Sequence, residues 1–417
     1  MLSSLKILWN SLKMALQELR VNKLRTFLSL LGITIGIFCI IAVLTVTDSM
    51  ESSIRKDLNS LGTNVIYVEK WPWDGGGEWW QYVNRPQPEF QEVRQIRERV
   101  GSADAVTFTF STGGRKIEYG SDYMDQVILI ATSSDLDKMQ TIELAAGRYF
   151  SPSEFNSGSN AVLLGWNLAD GLFGDAELAI GKEIRVSDRK CRVIGVLKRK
   201  GESLIGGVLN DDCVLMNYLH ARTIVDERNW NTNTTILVRA ADGIPTAQLK
   251  DDLTGVMRAI RRLKPAQSND FALNEITTVQ GELTTLFTYI NAGGWMIAAF
   301  ALLVGGFGIA NIMFVTVKER TNIIGLKKAI GARPGVILTE FLIESMILCM
   351  VGGGLGLLIV YGGALIAKNM FSTFQIGLSV GNIILGFSIS GVVGIIAGFI
   401  PAWSASKMDP VVAIRSN

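Results

Sequence analysis

Histidine is almost absent from this sequence, which has a single one, His220, among 417 residues. A catalytic triad built on histidine therefore has only one candidate member, and a histidine-rich metal cluster is disfavoured. Cysteine is also scarce, since four residues are too few for a disulfide-stapled scaffold. Neither sign of charge is in excess, because 40 Lys and Arg face 38 Asp and Glu. A strongly basic face that binds nucleic acid is therefore not expected.

The motifs of nucleotide binding and acyl-enzyme chemistry are missing as well. A phosphate-binding loop needs the pattern G-x-x-x-x-G-K-[ST], and the nearest approach, around Gly181–Lys182, has Ala176 and Glu183 at two essential positions. Ser-x-x-Lys matches such as Ser53–Lys56 and Ser187–Lys190 occur without the Lys-Thr-Gly partner that acyl-enzyme chemistry requires. We therefore expect a non-catalytic chain, with no catalytic, cofactor-binding or metal-ligating residues of its own.

The sequence does contain long uncharged stretches on both sides of an acidic block. Residues 48–282 hold 27 Lys and Arg and 33 Asp and Glu, whereas the other 182 residues hold only 13 and 5. At ~1.5 Å per residue, about 20 uncharged residues cross the ~30 Å hydrocarbon core of a bilayer. No Asp, Glu, Lys or Arg lies at the centre of these stretches, which disfavours a proton or ion relay. The predicted transmembrane helices are 26–47, 290–317, 345–367 and 383–403.

Basic residues concentrate in the short segments at one end of these spans. The segment 1–25, the loop 318–344 and the tail 404–417 carry them, whereas the loop between the third and fourth spans offers only Lys368. The positive-inside rule therefore makes the first three segments cytoplasmic and the domain 48–282 external. Segment 1–25 has leucines at helical spacing, which predicts an amphipathic helix lying on membrane lipid.

The block 48–282 combines short β-branched runs with two helical patterns, which favours an α+β domain. Helical segments that enter from the first span and return to the second suggest a stalk. The predicted helices cover 90–100 and 249–263. The predicted strands are 64–70, 105–109, 126–132, 161–164, 190–197 and 235–239.

Two features of this outer domain leave alternatives open. Four tryptophans surround Gly75–Gly77, and such a loop either binds a partner or packs on its own domain or the membrane interface; we favour packing. Cys191 and Cys213 lie on predicted strands in a compartment that permits a disulfide, although the sequence does not place them within bonding distance. The four tryptophans are Trp71, Trp73, Trp79 and Trp80.

Spaced glycines recur in the predicted spans. The G-x-x-x-G spacing lets two helices approach closely. It does not distinguish packing within one chain from packing across a dimer. The candidate packing glycines are Gly32, Gly36, Gly305, Gly306, Gly352, Gly356, Gly394 and Gly398.

The loop after the second span carries a specific motif. It reads ERTNIIGLKKAIGA from Glu319 to Ala332 and fits the pattern E-R-x-x-x-I-G-x-x-[KR]-A-x-G-A. This stretch resembles the permease domain shared by macrolide-exporter (MacB-type, FtsX-like) ABC transporters and lipoprotein-releasing permeases. The segment 24–36, parts of the outer domain and the ending from Pro401 are similar to the same family. One departure is that the macrolide exporter fuses an ATPase ahead of its permease, and these 417 residues contain no ATPase motif.

The resemblance implies an architecture and a mechanism. The outer domain is expected to have a porter-like part (62–146 and 231–275) and an inserted small α/β part (147–230). Two permeases pair, as a homodimer or with a paralogue, and cytosolic P-loop ATPase subunits that bind ATP and Mg²⁺ dock beneath them. In mechanotransmission, ATP-driven movement reaches the outer domains, which pass substrate from the periplasm to an adaptor and an outer-membrane duct. The expected location is the bacterial inner membrane.

The loop 318–344 suits a coupling helix that presses on the ATPase. Glu319 and Arg320 are expected to form charge pairs with that subunit, and the small residues permit close approach. Positive-inside anchoring explains the charges of the loop but not its Gly and Ala pattern. We therefore interpret the chain as an efflux permease, with a lipoprotein-releasing permease, an ATP-driven regulator of a cell-wall hydrolase and a membrane-anchored enzyme as alternatives. The candidate coupling residues are Lys318, Glu319, Arg320, Ile324, Gly325, Lys328, Ala329, Gly331 and Ala332.

Overall fold

The structure is a computed structural model that describes residues 23–62, 64–201, 209–229, 231–370 and 377–415. The amphipathic helix predicted for segment 1–25 lies almost wholly outside these residues. The chain divides into two compact units, one formed by Met1–Glu51 with Leu286–Asn417 and the other by Ser52–Thr285. We call them the membrane unit and the outer unit.

The described elements alternate irregularly along the chain. The helices are α1 (Lys23–Ser60), α2 (Trp79–Tyr82), α3 (Phe90–Arg99), α4 (Leu136–Met139), α5 (Pro152–Ser157), α6 (Trp166–Phe173), α7 (Ala176–Ala179), α8 (Tyr218–Ala221), α9 (Thr246–Ile260), α10 (Ile276–Glu319), α11 (Thr321–Ala329), α12 (Pro334–Met370), α13 (Val380–Lys407) and α14 (Pro410–Arg415). The strands are β1 (Val65–Glu69), β2 (Ala103–Tyr119), β3 (Asp122–Thr132), β4 (Leu144–Gly147), β5 (Ala161–Leu164), β6 (Glu183–Val186), β7 (Arg189–Leu197), β8 (Cys213–Asn217), β9 (Asn233–Ala240) and β10 (Ala272–Glu275).

Four of the described helices are long and apolar enough to cross a membrane, which confirms the predicted number of spans. Their apolar segments are Leu30–Leu58, Ile276–Glu319, Pro334–Ala367 and Val380–Lys407. The helices extend beyond the predicted spans, because α10 alone has 44 residues. At ~1.5 Å per residue that is roughly 66 Å, about twice the hydrocarbon thickness.

An isoleucine stripe on α1 forms the centre of the membrane unit. Ile33, Ile37 and Ile40 recur every three or four residues, fall on one helix face and are fully buried. They pack with buried residues of the other spans, among them Ile309 and Leu348. The first span is therefore a core element of this bundle.

The outer unit is built on one mixed sheet, which confirms the α+β class. The strand order is β10-β1-β9-β2-β3-β8-β5-β7-β4, and β6 pairs with β2 and β7. The pairs β3–β8 and β5–β7 are parallel and the others are antiparallel. Buried side chains such as Ile66 and Phe108 belong to a core shared with α3 and α9. The division into porter-like and inserted parts stays a prediction.

Candidate coupling surface

The helix α11 lies between two breaks that the sequence dictates. Its start follows Arg320, where the long helix α10 has ended. Its end is set by Gly331, which adopts a left-handed φ of +98° and donates its backbone N–H to the Lys328 carbonyl at 3.0 Å. Glycine takes this conformation without the steric cost that a side chain adds. Pro334 then opens α12, where a missing N–H costs nothing.

Several basic groups of the loop are held inside the chain. The Arg320 guanidinium donates to the Glu344 carboxylate at 3.2 Å, and the Glu344 side chain is only 1% exposed. Lys327 Nζ donates to the carboxylate of Glu340 at 2.7 Å. Glu340 and Glu344 both lie on α12. Arg320 is thus paired within the chain, and its pairing with another subunit stays a prediction. Its charge is matched within the chain because α11 folds back beside α12.

A further basic group of the loop anchors the start of the last described helix. Lys328 Nζ donates to the backbone carbonyl of Met408 at 2.6 Å. Gly325 faces α14, where a Cβ added to Gly325 would lie 2.8 Å from the Cβ of Ala413. Both residues are buried. The helix α14 thus packs directly on α11, although none of its residues is among the predicted coupling residues. The small size of these two residues signals a close contact in the sequence, but their spacing alone does not show that they contact each other.

The two packed helices leave apolar side chains exposed. On α11 and the residue that follows it they lie three and four positions apart, which puts them on one side. Charged and exposed residues such as Lys318, Glu319, Arg333 and Asp409 flank these helices. We call the exposed apolar set the coupling platform: Ile323 (52% exposed), Leu326 (60%), Ile330 (80%), Val411 (61%), Val412 (66%) and Ile414 (51%).

The remaining candidate coupling residues divide between the interior and the platform. Ile324 is buried, in contrast to its neighbour Ile323. Ala329 and Gly331 are exposed, and Ala332 is half-buried. A Cβ placed on Gly331 would meet no atom within 4 Å. The glycine is therefore required by backbone conformation and not by crowding within this chain.

Seven of the eight candidate packing glycines make close helix contacts within the chain. A Cβ on Gly32 would lie 2.9 Å from the Gly305 Cα, and one on Gly305 would meet Ile33. On α13, a Cβ on Gly394 would lie 2.7 Å from the Met346 Cα. The exception is Gly306, whose nearest neighbours in the chain are 3.9 Å away. The close partners of the other four are Leu302 for Gly36, Ile33 for Gly352, Thr34 for Gly356 and Ser345 for Gly398.

The tryptophan-rich loop of the outer unit has two distinct halves. Trp73 Nε1 donates to the Glu69 carboxylate at 2.7 Å and its ring packs on Tyr67. Trp71 packs edge-on against Tyr82. Trp79 and Trp80 are 64% and 55% exposed. The first half thus packs on its own domain, whereas the second half stays accessible.

The two outer cysteines are free thiols, so the disulfide considered between them is not formed. The strand β5 lies between their strands. Its first residue, Ala161, pairs with Arg192, which follows Cys191, and Cys213 lies beyond its last residue. Two strand spacings of about 4.8 Å separate them before the offset along the strands, which is too far for a bond. Cys191 Sγ instead contacts His220 Nε2 at 3.6 Å. Burial raises the pKa of both thiols to about 12.

Two family models match the chain. The MacB-like periplasmic core domain matches residues 26–256, and the FtsX-like permease C-terminal domain matches residues 295–410. The first of these covers more than half of the sequence.

Curated proteins and solved structures are similar to the same regions. The macrolide export ATP-binding/permease protein MacB of Bdellovibrio bacteriovorus is 33% identical over 400 residues, which are 96% of this chain and 60% of that protein. MacB of Rhodopseudomonas palustris strain BisB18 is 31% identical over 419 residues, with 100% and 61% covered. The chain thus spans about 60% of the length of these relatives. The crystal structure of the periplasmic region of MacB from Actinobacillus actinomycetemcomitans aligns with a TM-score of 0.44 at 16% identity, covering 55% of this chain and 97% of that one.

Proposed function

Because the chain belongs to the MacB-like, FtsX-like family of ABC transporter permeases, we propose that it is the permease subunit of a transporter of the mechanotransmission type. ATP hydrolysis takes place on a P-loop ATPase, since these 417 residues contain no phosphate-binding loop. The platform and both termini face the cytoplasm, and the outer unit faces the periplasm. A second permease completes the assembly.

The observation that carries this proposal is the coupling platform. Six exposed apolar side chains on two short helices are costly to leave in water, because apolar burial is worth roughly 25 cal/mol per Å². Exposed apolar patches rimmed by polar groups mark interaction sites. The platform lies outside the apolar segments of the spans, which supports access by a cytosolic ATPase.

The long helices supply a route for movement. The helices α1 and α10 contain the residues at which the membrane unit passes into the outer unit, near Glu51 and Leu286. Each is a continuous helix longer than a bilayer is thick. A displacement of the bundle by the ATPase is therefore transmitted to the outer unit along these continuous helices. The cargo of this movement is a periplasmic substrate, passed to an adaptor and an outer-membrane duct.

The test is purification of the tagged chain from its native membrane, with partners identified by mass and stoichiometry. We expect a P-loop ATPase at one copy per permease, together with a periplasmic adaptor. Recovery of a second, different permease without an adaptor indicates lipoprotein release instead. Recovery of a cell-wall hydrolase indicates the regulatory role.

A single substitution localises the ATPase contact. Leu326→Arg places a charge in the platform, and we expect at least about a tenfold loss of ATPase recovery, since burying an unpaired charge costs well over 1.4 kcal/mol. The matched control is Leu178→Arg in the outer unit, where the side chain is also 60% exposed. Equal recovery with both variants contradicts the assignment of the platform.

A further inference from the structure

A cavity of about 470 Å³ opens on the outer unit, far along the chain from the coupling platform. Its walls come from β1, β2, β3 and β9 and from the segments that follow β1 and precede β8. This volume lies within the range of small-molecule sites. Lining residues that bear on ligand chemistry are Glu69, Lys70, Trp71, Thr109, Ser111, Asn210 and Thr235.

The carboxylate of Glu69 is the charged acceptor in this wall. It accepts hydrogen bonds from Thr235 Oγ1 at 2.9 Å, from Trp73 Nε1 at 2.7 Å and from Asn274 Nδ2 at 3.0 Å. Within the described part of the chain it forms no ion pair. Burial raises the pKa of Glu69 despite these donors. A negative charge held by neutral donors alone is costly, and a bound cation offsets that cost.

A second acceptor and an aromatic surface line the same cavity. The Asn210 Oδ1 atom is enclosed and has no hydrogen-bond partner among the described residues. Buried polar atoms are nearly always paired, so an orphaned acceptor in a cavity wall indicates a missing donor. Trp71, 41% exposed, adds an amphipathic ring, and Lys70 lies with its Nζ 5.5 Å from that ring. The threonine and serine hydroxyls both donate and accept.

We propose that this cavity binds a small hydroxylated amine, whose ammonium group pairs with Glu69 and donates to Asn210 Oδ1. The hydroxyls of the ligand contact Thr109, Ser111 and Thr235, and its apolar face lies on Trp71. This site is separate from the coupling platform and holds whether or not an ATPase docks there.

The test measures binding of three related sugars to the purified full chain by saturation-transfer NMR. Glucosamine carries the ammonium group, glucose lacks it, and N-acetylglucosamine replaces it with a neutral amide. We expect glucosamine to bind at least about tenfold more tightly than the other two. Equal binding of glucosamine and glucose, or no binding of glucosamine, overturns the proposal.

Two variants assign the contacts. Glu69→Gln is expected to lower glucosamine affinity about tenfold, to that of glucose, whereas Glu183→Gln, on the surface, leaves it unchanged. Because Glu69→Gln alters the hydrogen bonds of the tryptophan loop, Ser111→Phe fills the cavity from β2 and is expected to abolish binding of all three sugars. Glucosamine binding that survives both substitutions refutes the site.

Discussion

Removal of the Arg320 side chain tests whether α11 is fixed to the membrane bundle by its charges. The ion pair with Glu344 is largely enclosed, with side chains 20% and 1% exposed. Breaking a buried pair from one side typically costs about 3–5 kcal/mol, because the remaining charge stays buried. For a unit of this size, 1 kcal/mol shifts the melting temperature by roughly 2–4 °C, so Arg320→Ala is expected to lower it by about 6–20 °C.

A second ion pair between α11 and α12 offers a matched control. Lys327 pairs with Glu340, one turn before Glu344, but these side chains are 36% and 15% exposed. This half-buried pair is more accessible to solvent than Arg320–Glu344, so its contribution lies nearer the about 0–1 kcal/mol of surface pairs, and Lys327→Ala is expected to lower the melting temperature by only a few degrees. The double variant Arg320→Ala with Glu344→Gln removes the negative charge that Arg320→Ala leaves buried and is expected to recover most of the loss.

The assay follows thermal exposure of cysteine in the membrane unit. Cys349 is fully buried there, so a thiol-reactive dye reports its release on unfolding. Replacing Cys191 and Cys213 with alanine removes the signal of the outer unit, and replacing the half-buried Cys39 removes the other thiol of the membrane unit. An Arg320→Ala variant no less stable than Lys327→Ala, or a double variant no better than Arg320→Ala, refutes the reasoning.

Two further predictions concern the loop glycine and the thiols. Gly331→Trp is expected to abolish stimulation of the ATPase while membrane insertion persists; Gly331→Asn, which tolerates a left-handed φ better, is expected to keep most of it. Equal loss in both variants would show that backbone conformation is not the cause. Cys191 and Cys213 are expected to resist maleimide at pH 7 in the folded chain and to react once it is unfolded, because burial raises their pKa to about 12. Peptide mass mapping checks this, and a disulfide-linked peptide pair contradicts it.

Local sequence patterns predicted many of the elements but not their pairing. The strand expected at 161–164 is β5 with the same bounds, and the helix expected at 249–263 is α9 at Thr246–Ile260. The strands expected at 105–109 and 126–132 are the inner parts of a longer hairpin, β2–β3. Its outer part contains Gly113, Gly114 and polar side chains, which propensity assigns to a loop. Pairing with β3 and β6 overrides that preference.

The candidate site shows the same limit, because features set by the local sequence could be predicted and contacts between distant residues could not. The position of α11 and its glycine-dependent end could be predicted from the loop motif. The pairing of Arg320 with Glu344 could not, because it requires the chain to reverse at Gly331 and bring residues 24 positions apart together. The contact of Gly325 with Ala413 joins segments even further apart in sequence. The spacing of small residues indicates that a close approach is possible, but it does not identify the residue that is approached.

The internal pairing of these charges bears on the proposed contact with an ATPase subunit. Arg320, Lys327 and Lys328 are engaged by groups of the same chain, so the surface left on α11 and α14 is chiefly apolar. Exposed ion pairs contribute little to the free energy of binding, whereas the contribution of apolar contacts is proportional to the surface area that they bury. Helices of nine and six residues are too short to be stable alone. They keep their shape because ion pairs and close packing tie them to the bundle. A force on the platform therefore moves the spans with it, which is the physical requirement for coupling.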